Sequence, residues 1–185
     1  MMKKIIFSCT LLCLPFSAIT NADTGHRVGL GFATTEVEDY AGNQIDWGMG
    51  FKLEYGYDFN RVIGINASYT NTSDDVYHNY GSLRYGAEVK SHTYKIDTDI
   101  GYAFQLNDFS IKPYGAIGLA SNREKLTIHL DDRSTSQSYN DNSLYLGVGV
   151  RTTLGMGVYT DIRMDFPTFD DVYTDQFSFS MGYRF

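Results

Sequence analysis

Three pairs of neighbouring aspartates, Asp74-Asp75, Asp131-Asp132 and Asp170-Asp171, and four histidines, His26, His78, His92 and His129, are the residues of this chain whose types could make a reactive site. Neighbouring carboxyl groups can share a proton and activate water, and several oxygens together can hold Ca²⁺ or Mg²⁺. Here each pair stands in a polar stretch without a spaced ligand loop, and His78 alone lies near one. The pattern reads as solvated acids, with no catalytic group, no metal site and no cofactor. A second constellation differs in kind. Lys52 and Glu54, then Lys95, Asp97 and Asp99, then Asp161, Arg163 and Asp165 place charges at every second position, which puts each set on one face of a strand.

The strands that carry these charges share one design. In the last, Phe177, Phe179, Met181, Tyr183 and Phe185 alternate with Ser178, Ser180, Gly182 and Arg184. The large side chains lie on one face and the small or polar ones on the other, as expected where lipid is outside and a narrow polar lumen inside. Val28, Leu30 and Phe32 alternate with glycines in the first strand, and Trp47 to Tyr57 alternate with Gly48, Gly50, Lys52, Glu54 and Gly56 in the second. Ile63 to Tyr69, Tyr94 to Phe104, Ile111 to Leu119, Leu144 to Leu154 and Val158 to Phe166 supply the remaining outward rows. The expected fold is all-β, an eight-stranded antiparallel up-and-down transmembrane barrel. Its short turns are at Asp58 to Arg61, Gln105 to Asp108 and Gly155-Met156, the last a two-residue turn of the glycine-first kind. Pro167 is expected to end the seventh strand.

Between strands the reading is less regular. Thr72 to His92 and Ser121 to Asn142 are long, polar and loop-like, although Leu83 to Lys90 could prolong a hairpin beyond the membrane. Leu126, Ile128 and Leu130 are large at even positions where Ile117 and Leu119 are large at odd ones. That break in phase implies either a bulge between Ala120 and Lys125 or a strand leaving the bilayer.

Lys3 and Lys4, the apolar run Ile5 to Phe16 and Thr20-Asn21-Ala22 form a secretory signal over residues 1–22, leaving a barrel domain at 23–185. Both cysteines, Cys9 and Cys13, lie in that leader. Its removal lowers the basic count from 15 to 13 against 22 acidic residues, a net charge of −9, which argues against nucleic acid. The inward list holds Lys52, Lys95, Lys112, Arg151, Arg163 and Arg184 against Glu54, Asp97, Asp99, Asp161 and Asp165. Eight strands leave room only for side chains, so this set is expected to be a paired network that plugs the lumen. The charge excess then belongs to the loops, where Asp74, Asp75, Tyr77, Tyr80, Arg84, Arg123, Lys125, Arg133 and Tyr139 form the candidate binding face, with tyrosines suited to recognition and cations suited to lipopolysaccharide phosphates.

The leader, Val28-Gly-Leu-Gly-Phe32, Lys112-Pro-Tyr-Gly-Ala-Ile-Gly-Leu119, Leu146-Gly-Val-Gly-Val150 and Met181-Gly-Tyr-Arg-Phe185 together resemble the OmpX/Ail group of small outer-membrane barrels, within the opacity-protein-like surface antigens. The resemblance implies a monomer in the outer membrane of a Gram-negative bacterium, with loops outside and both termini periplasmic. It also implies recognition by the barrel-assembly machinery through Phe185 and the last strand. The function it implies is non-enzymatic: adhesion to host or surface ligands and resistance to host defences, carried by the loops. A structural barrel that supports the envelope and a narrow solute channel are the alternatives. Lipid A deacylases share the eight-stranded shape but use a His-x-Ser pair, which none of the four histidines here begins. Omptin-type proteases combine aspartates and a histidine above a larger barrel.

Overall fold

Side-chain alternation of period two decides the architecture. In the computed structural model, which describes residues 24–38, 44–80, 83–130, 133–169 and 172–185, the chain is strand almost throughout. The strands are β1 (Gly25–Glu38), β2 (Gln44–Asp58), β3 (Ile63–Tyr80), β4 (Leu83–Gly101), β5 (Phe104–Gln105), β6 (Phe109–Leu130), β7 (Arg133–Leu154), β8 (Val158–Phe169) and β9 (Val172–Arg184). β5 is a two-residue bridge against Ser110 and Ile111 inside a turn. The other eight pair antiparallel with their chain neighbours, β4 joins β6, and β1 pairs β9 from Arg27↔Arg184 to Glu38↔Tyr173, which closes the sheet. Closure follows from the solvent, because hydrocarbon offers no partner for an open strand edge. The secretory leader lies outside the described residues.

The two faces are inverted relative to a water-soluble barrel. Leu30, Leu53, Ile96, Leu119, Leu146 and Met181 are exposed on the outside, while Lys52, Asp97, Asp99, Arg151 and Asp161 are buried inside. Tyr55, Tyr102, Phe104, Tyr183 and Phe185 ring the outer surface toward the short-turn end, and Tyr69 and Tyr94 sit side by side toward the long-loop end. Aromatic girdles of this kind mark the two interfaces of a lipid layer. At the turn end the seam is fastened by Phe185 N–H donating to the His26 carbonyl at 2.9 Å, with the two rings 5.7 Å apart and stacked.

Three local expectations are corrected, and one open alternative is decided. The stretches 72–92 and 121–142 are mostly strand, not loop: β3 runs to Tyr80, β4 starts at Leu83, β6 runs to Leu130 and β7 starts at Arg133. No bulge interrupts β6, whose registers with β4 and β7 are unbroken from Gly101↔Tyr114 to Tyr85↔Leu130 and from Phe109↔Leu154 to Leu130↔Arg133. The change of pattern has the other cause considered, a strand that leaves the bilayer, after which neither face needs to be apolar. Pro167 does not end β8; it occupies the last rung shared with β7, opposite Tyr145, where a missing N–H is tolerated, and the strand continues to Phe169. The turn before β8 has three residues: Gly157 N–H bonds the Leu154 carbonyl, and Gly157, not Gly155, has the positive φ of 91°. That is the turn-plus-bulge form of a hairpin.

A real bulge lies elsewhere. The β1–β2 register shifts between Thr34↔Met49 and Glu36↔Asp46, and Gly48 on the bulged side has φ 86° with its backbone pressed on β3, so that a Cβ there would stand 2.3 Å from the Ser73 carbonyl oxygen. Only glycine meets both conditions.

Candidate functional site: a filled lumen and a protruding sheet

Ten of the eleven lumen charges expected from alternation, Lys52, Glu54, Lys95, Asp97, Asp99, Lys112, Arg151, Asp161, Arg163 and Asp165, are buried inward. Arg184 is also inward but sits at the turn end, its side chain 19% exposed and its Nε 3.7 Å from Asp58. Two members escaped the sequence reading, Arg27 and Asp58. Both have the inward parity of their strands, but each stands at a strand terminus, where the alternation has too few neighbours to be read.

Together these groups fill the bore. Asp99 is fully buried and faces Lys112, with Arg151 Nη1 at 3.2 Å and Arg27 Nη2 at 3.5 Å. Arg151 also reaches Asp161 at 2.8 Å, and Tyr114 donates to the other Asp161 oxygen at 2.6 Å. Asn66 links the layers, accepting from Arg27 and donating to Asp97 at 2.8 Å and Asp99 at 3.0 Å. Nearer the loop end, Arg163 joins Asp97 at 3.0 Å and Asp165 at 2.6 Å, and Lys95 joins Asp165 at 2.8 Å and Gln176 at 2.6 Å. Lys52, Tyr159 and Ser180 close on Glu54. The Tyr159 hydroxyl lies against Gly29, where a Cβ would stand 2.3 Å away, so the small residues of β1 make space for the large ones of β8.

Buried charges are tolerable only when paired and hydrogen-bonded, and here each carboxylate has a cation. A pore needs displaceable water along its axis, and this lumen is crossed by ion pairs from opposite walls. The protein in planar bilayers is therefore expected to show no stable conductance; steady open steps would mean that the network parts to leave a path.

Beyond the Tyr69/Tyr94 girdle the strands continue without their outer neighbours. β2 pairs β3 only as far as Ser73, and β7 pairs β8 only from Tyr145. What projects is a four-stranded sheet made of the ends of β3, β4, β6 and β7. Its two faces follow from register. Asn71, His92, Arg123 and Asn140 share one rung of the outward face, and Ser73, Lys90, Lys125 and Ser138 share the next. That side is basic near the lipid surface; further out, Lys90 bonds Glu88 and holds its carboxyl below the ordinary range. His92 Nδ1 is bonded to the Tyr69 hydroxyl at 2.8 Å with the rings stacked. The inward face carries Asp74, Val89, Leu126 and Gln137 on one rung and Thr72, Ser91, Glu124 and Tyr139 on the rung below.

The candidate binding residues divide between these faces. Arg123 and Lys125 are exposed on the outward face, and Tyr139, half exposed, is on the inward face. Asp74 and Asp75 point to opposite faces, since they are successive residues of β3, so they form no carboxyl pair. The side chains of Tyr77, Tyr80, Arg84 and Arg133 lie outside the described ones, as do Asp131, Asp132, Asp170 and Asp171. Among the described residues no cluster of three His, Cys, Asp or Glu side chains could hold a metal ion.

A closed eight-stranded antiparallel barrel with an apolar exterior, aromatic girdles and a polar filled bore is a transmembrane barrel of the bacterial outer-membrane type. The chain belongs to the outer membrane protein beta-barrel domain family, whose model matches residues 6–185. Within it the chain is of OmpX/Ail type. It is 25% identical over 195 residues to the attachment invasion locus protein of Yersinia pseudotuberculosis serotype I (strain IP32953), covering 100% of this chain and 98% of that one. It is 22% identical over 187 residues to the protein of the same name in Yersinia enterocolitica, covering both chains fully at 100%. In fold it is similar to Ail of Yersinia pestis in complex with the heparin analogue sucrose octasulfate, with TM-score 0.66, 22% identity and coverage of 88% of this chain and 99% of that one. It is also similar to Neisserial surface protein A, with TM-score 0.56, 17% identity and coverage of 86% and 97%.

Proposed function

We propose that this chain is a non-enzymatic surface protein of the outer membrane, with the long-loop end outside, both termini in the periplasm and the leader removed, and that it attaches the cell to host surfaces through the protruding sheet. Resistance to host defences would be served by the same surface. The observation that carries the reading is the open edge of β7. Among the described residues, the strand from Ser134 to Leu144 is paired on one side only, by β6. Natural edges are usually blunted by Lys, Pro or a bulge, yet this one reads Ser-Thr-Ser-Gln-Ser-Tyr-Asn-Asp-Asn-Ser-Leu, and Ser134 to Asn140 are all exposed. Such an edge can take an extended partner strand by backbone pairing. The attachment names of the two relatives support the same reading.

A second reading, attachment to sulfated or phosphorylated glycan, is favoured by the basic outward rungs of His92, Arg123, Lys90 and Lys125 and by the heparin analogue bound to a structural neighbour. One variant separates them. Ser136→Lys with Ser138→Lys and Asn140→Lys guards the edge and adds cations beside Arg123 and Lys125. Strand addition predicts at least about a tenfold loss of cell attachment, or roughly 1.4 kcal/mol, with the barrel still heat-modifiable on gels. Glycan binding predicts a gain. Unchanged attachment, with detergent resistance lost when the sheet is deleted, would instead favour an envelope-supporting barrel.

A further inference from the structure

The root of the protruding sheet contains two carboxylates that the ion-pair network does not reach. Glu124 on β6 and Asp141 on β7 both face inward just beyond the girdle, and register sets Asp141 opposite Asn122, one pair from Glu124. Asn122 is buried, and its orientation is dictated by its neighbours: its Oδ1 accepts from Ser91 Oγ at 2.7 Å and Thr93 Oγ1 at 3.1 Å, so its Nδ2 must turn to Glu124. Asp141 Oδ1 accepts only the Asn142 N–H at 2.7 Å, and its Oδ2 is a buried acceptor with no donor. Among the described residues no cation pairs with either carboxylate, in contrast to every carboxylate of the plug below.

The surroundings of Glu124 hold few other titratable groups. From β4 it faces Ser91, flanked by Val89 and Thr93; from β7 it faces Tyr139, flanked by Asp141 and Gln137; on its own strand Asn122 and Leu126 are the same-face neighbours. Asp74 on β3 shares the face but stands two strands away. Burial pushes the Glu124 carboxyl up to about 7 against the opposing bond from Asn122, with a smaller push in the same direction from the Asp141 charge.

We propose that Glu124 keeps its proton and donates it toward Asp141 Oδ2, and that this bond ties β6 to β7 at the base of the sheet, so that the surface that binds partners is tighter in acid than in alkali. A protonated Glu124 is the donor that Asp141 Oδ2 lacks. When the proton leaves, two anions face each other across one asparagine, and the ribbon above them loosens. The sign follows from linkage: a carboxyl that holds its proton more strongly when folded stabilises the fold below its ordinary range, and that stability fades as pH rises through about 7. The regulatory meaning rests on the sheet being the attachment surface, but the device itself does not.

The test uses the full barrel in detergent micelles and needs no ligand, so failure of the attachment reading leaves it intact. Amide hydrogen exchange of residues 122–128 and 137–143, corrected for intrinsic rates, is expected to be roughly 3- to 10-fold more protected at pH 5.5 than at pH 8, a modest factor because Glu124 is partly screened by solvent. Glu124→Gln, which keeps a permanent donor, should be protected at both pH values with little slope. Carbon-13 titration of the Glu124 carboxyl should give a midpoint near 7, falling measurably in Asp141→Asn but staying above the ordinary value of about 4.3, because burial remains. A wild-type midpoint near the ordinary value, or a Glu124→Gln barrel that keeps the full pH slope of protection, would overturn the proposal.

Discussion

Asp99→Asn is expected to destabilise the folded barrel by about 3–5 kcal/mol, the cost of leaving buried charges uncompensated. The measurement is urea unfolding from micelles, followed by the heat-modifiable gel band. Asp99 is fully buried with three cations around it: Lys112, Arg151 and Arg27 all approach it, and Asn66 donates to it as well. The amide fills the same space but cannot neutralise three cations from three strands. Lys112→Met should therefore cost less in the Asp99→Asn background than alone, because it removes one of the orphaned charges; the double-mutant cycle isolates that coupling. Asp75→Asn, on the exposed outward face of β3, should move the midpoint by less than about 0.5 kcal/mol. A cost for Asp99→Asn no larger than that of Asp75→Asn would mean that water reaches the lumen and that the network is not a dry plug.

Which of these features could be read from residues alone depends on how many constraints act on each stretch. Where lipid lies on one side and a crowded bore on the other, both faces are constrained, and the alternation through Lys95, Asp97 and Asp99 or through Tyr159, Asp161 and Arg163 is unambiguous. Beyond the girdle both faces meet water, so neither has to be apolar. There the side-chain alternation of β6 slips at Leu126 and Ile128 although the backbone register never changes. For the same reason Asp131 to Asn142 reads as loop when most of it is the polar edge of a strand. Arg27 and Asp58 were hidden by position, since a strand's last inward residue has no following partner to declare the period. The proton pair was hidden more deeply: Glu124 and Asp141 lie 17 positions apart in the chain, and only the β6–β7 register brings them to one asparagine.

The two halves of the molecule also follow opposite rules for charge. Within the membrane every carboxylate is matched, because an unmatched one would be too costly to keep. At the root of the projecting sheet charges are sorted by face, with Arg123, Lys90 and Lys125 outward and Glu124, Asp141 and Asp74 inward, before Asp75 and Glu88 appear outward on the next rung. A matched network holds shape but has nothing left to offer a partner. A sorted one keeps its field, and it stands beside an edge with unspent backbone donors and acceptors. The rigid part thus positions the sheet, and the part that water reaches is the one proposed to bind partners.

Leu146→Arg is expected to prevent assembly into a stable barrel. Leu146 is 61% exposed on the outer face, between Ile117 on β6 and Phe166 on β8 at the same rung, with Leu144 and Val148 on either side of it along β7. An arginine on this face loses about 2–4 kcal/mol at the bilayer midplane and about 0–1 near the interfaces, a large fraction of the roughly 5–15 kcal/mol by which domains are stable. The effect should therefore follow depth. Val148→Arg, one pair further from the loop end, should be at least as damaging, and Leu154→Arg, beside the turn before β8, should be nearly silent. Leu146→Phe, which keeps the surface apolar, should fold as the parent does. The readout is the fraction of heat-modifiable protein after refolding into lipid vesicles. If Leu146→Arg refolded normally, Leu146 would have to face the lumen. Gly147 would then face lipid, and the inward assignment of Tyr145, Gly149 and Arg151 along the same strand would fall with it, taking the ion-pair plug as well. A flat response across the three arginine variants would show that the outer face is not in contact with hydrocarbon. A steep one centred on the middle of β7 would locate the bilayer on this protein to within a rung or two, and with it the point where the sheet begins to project.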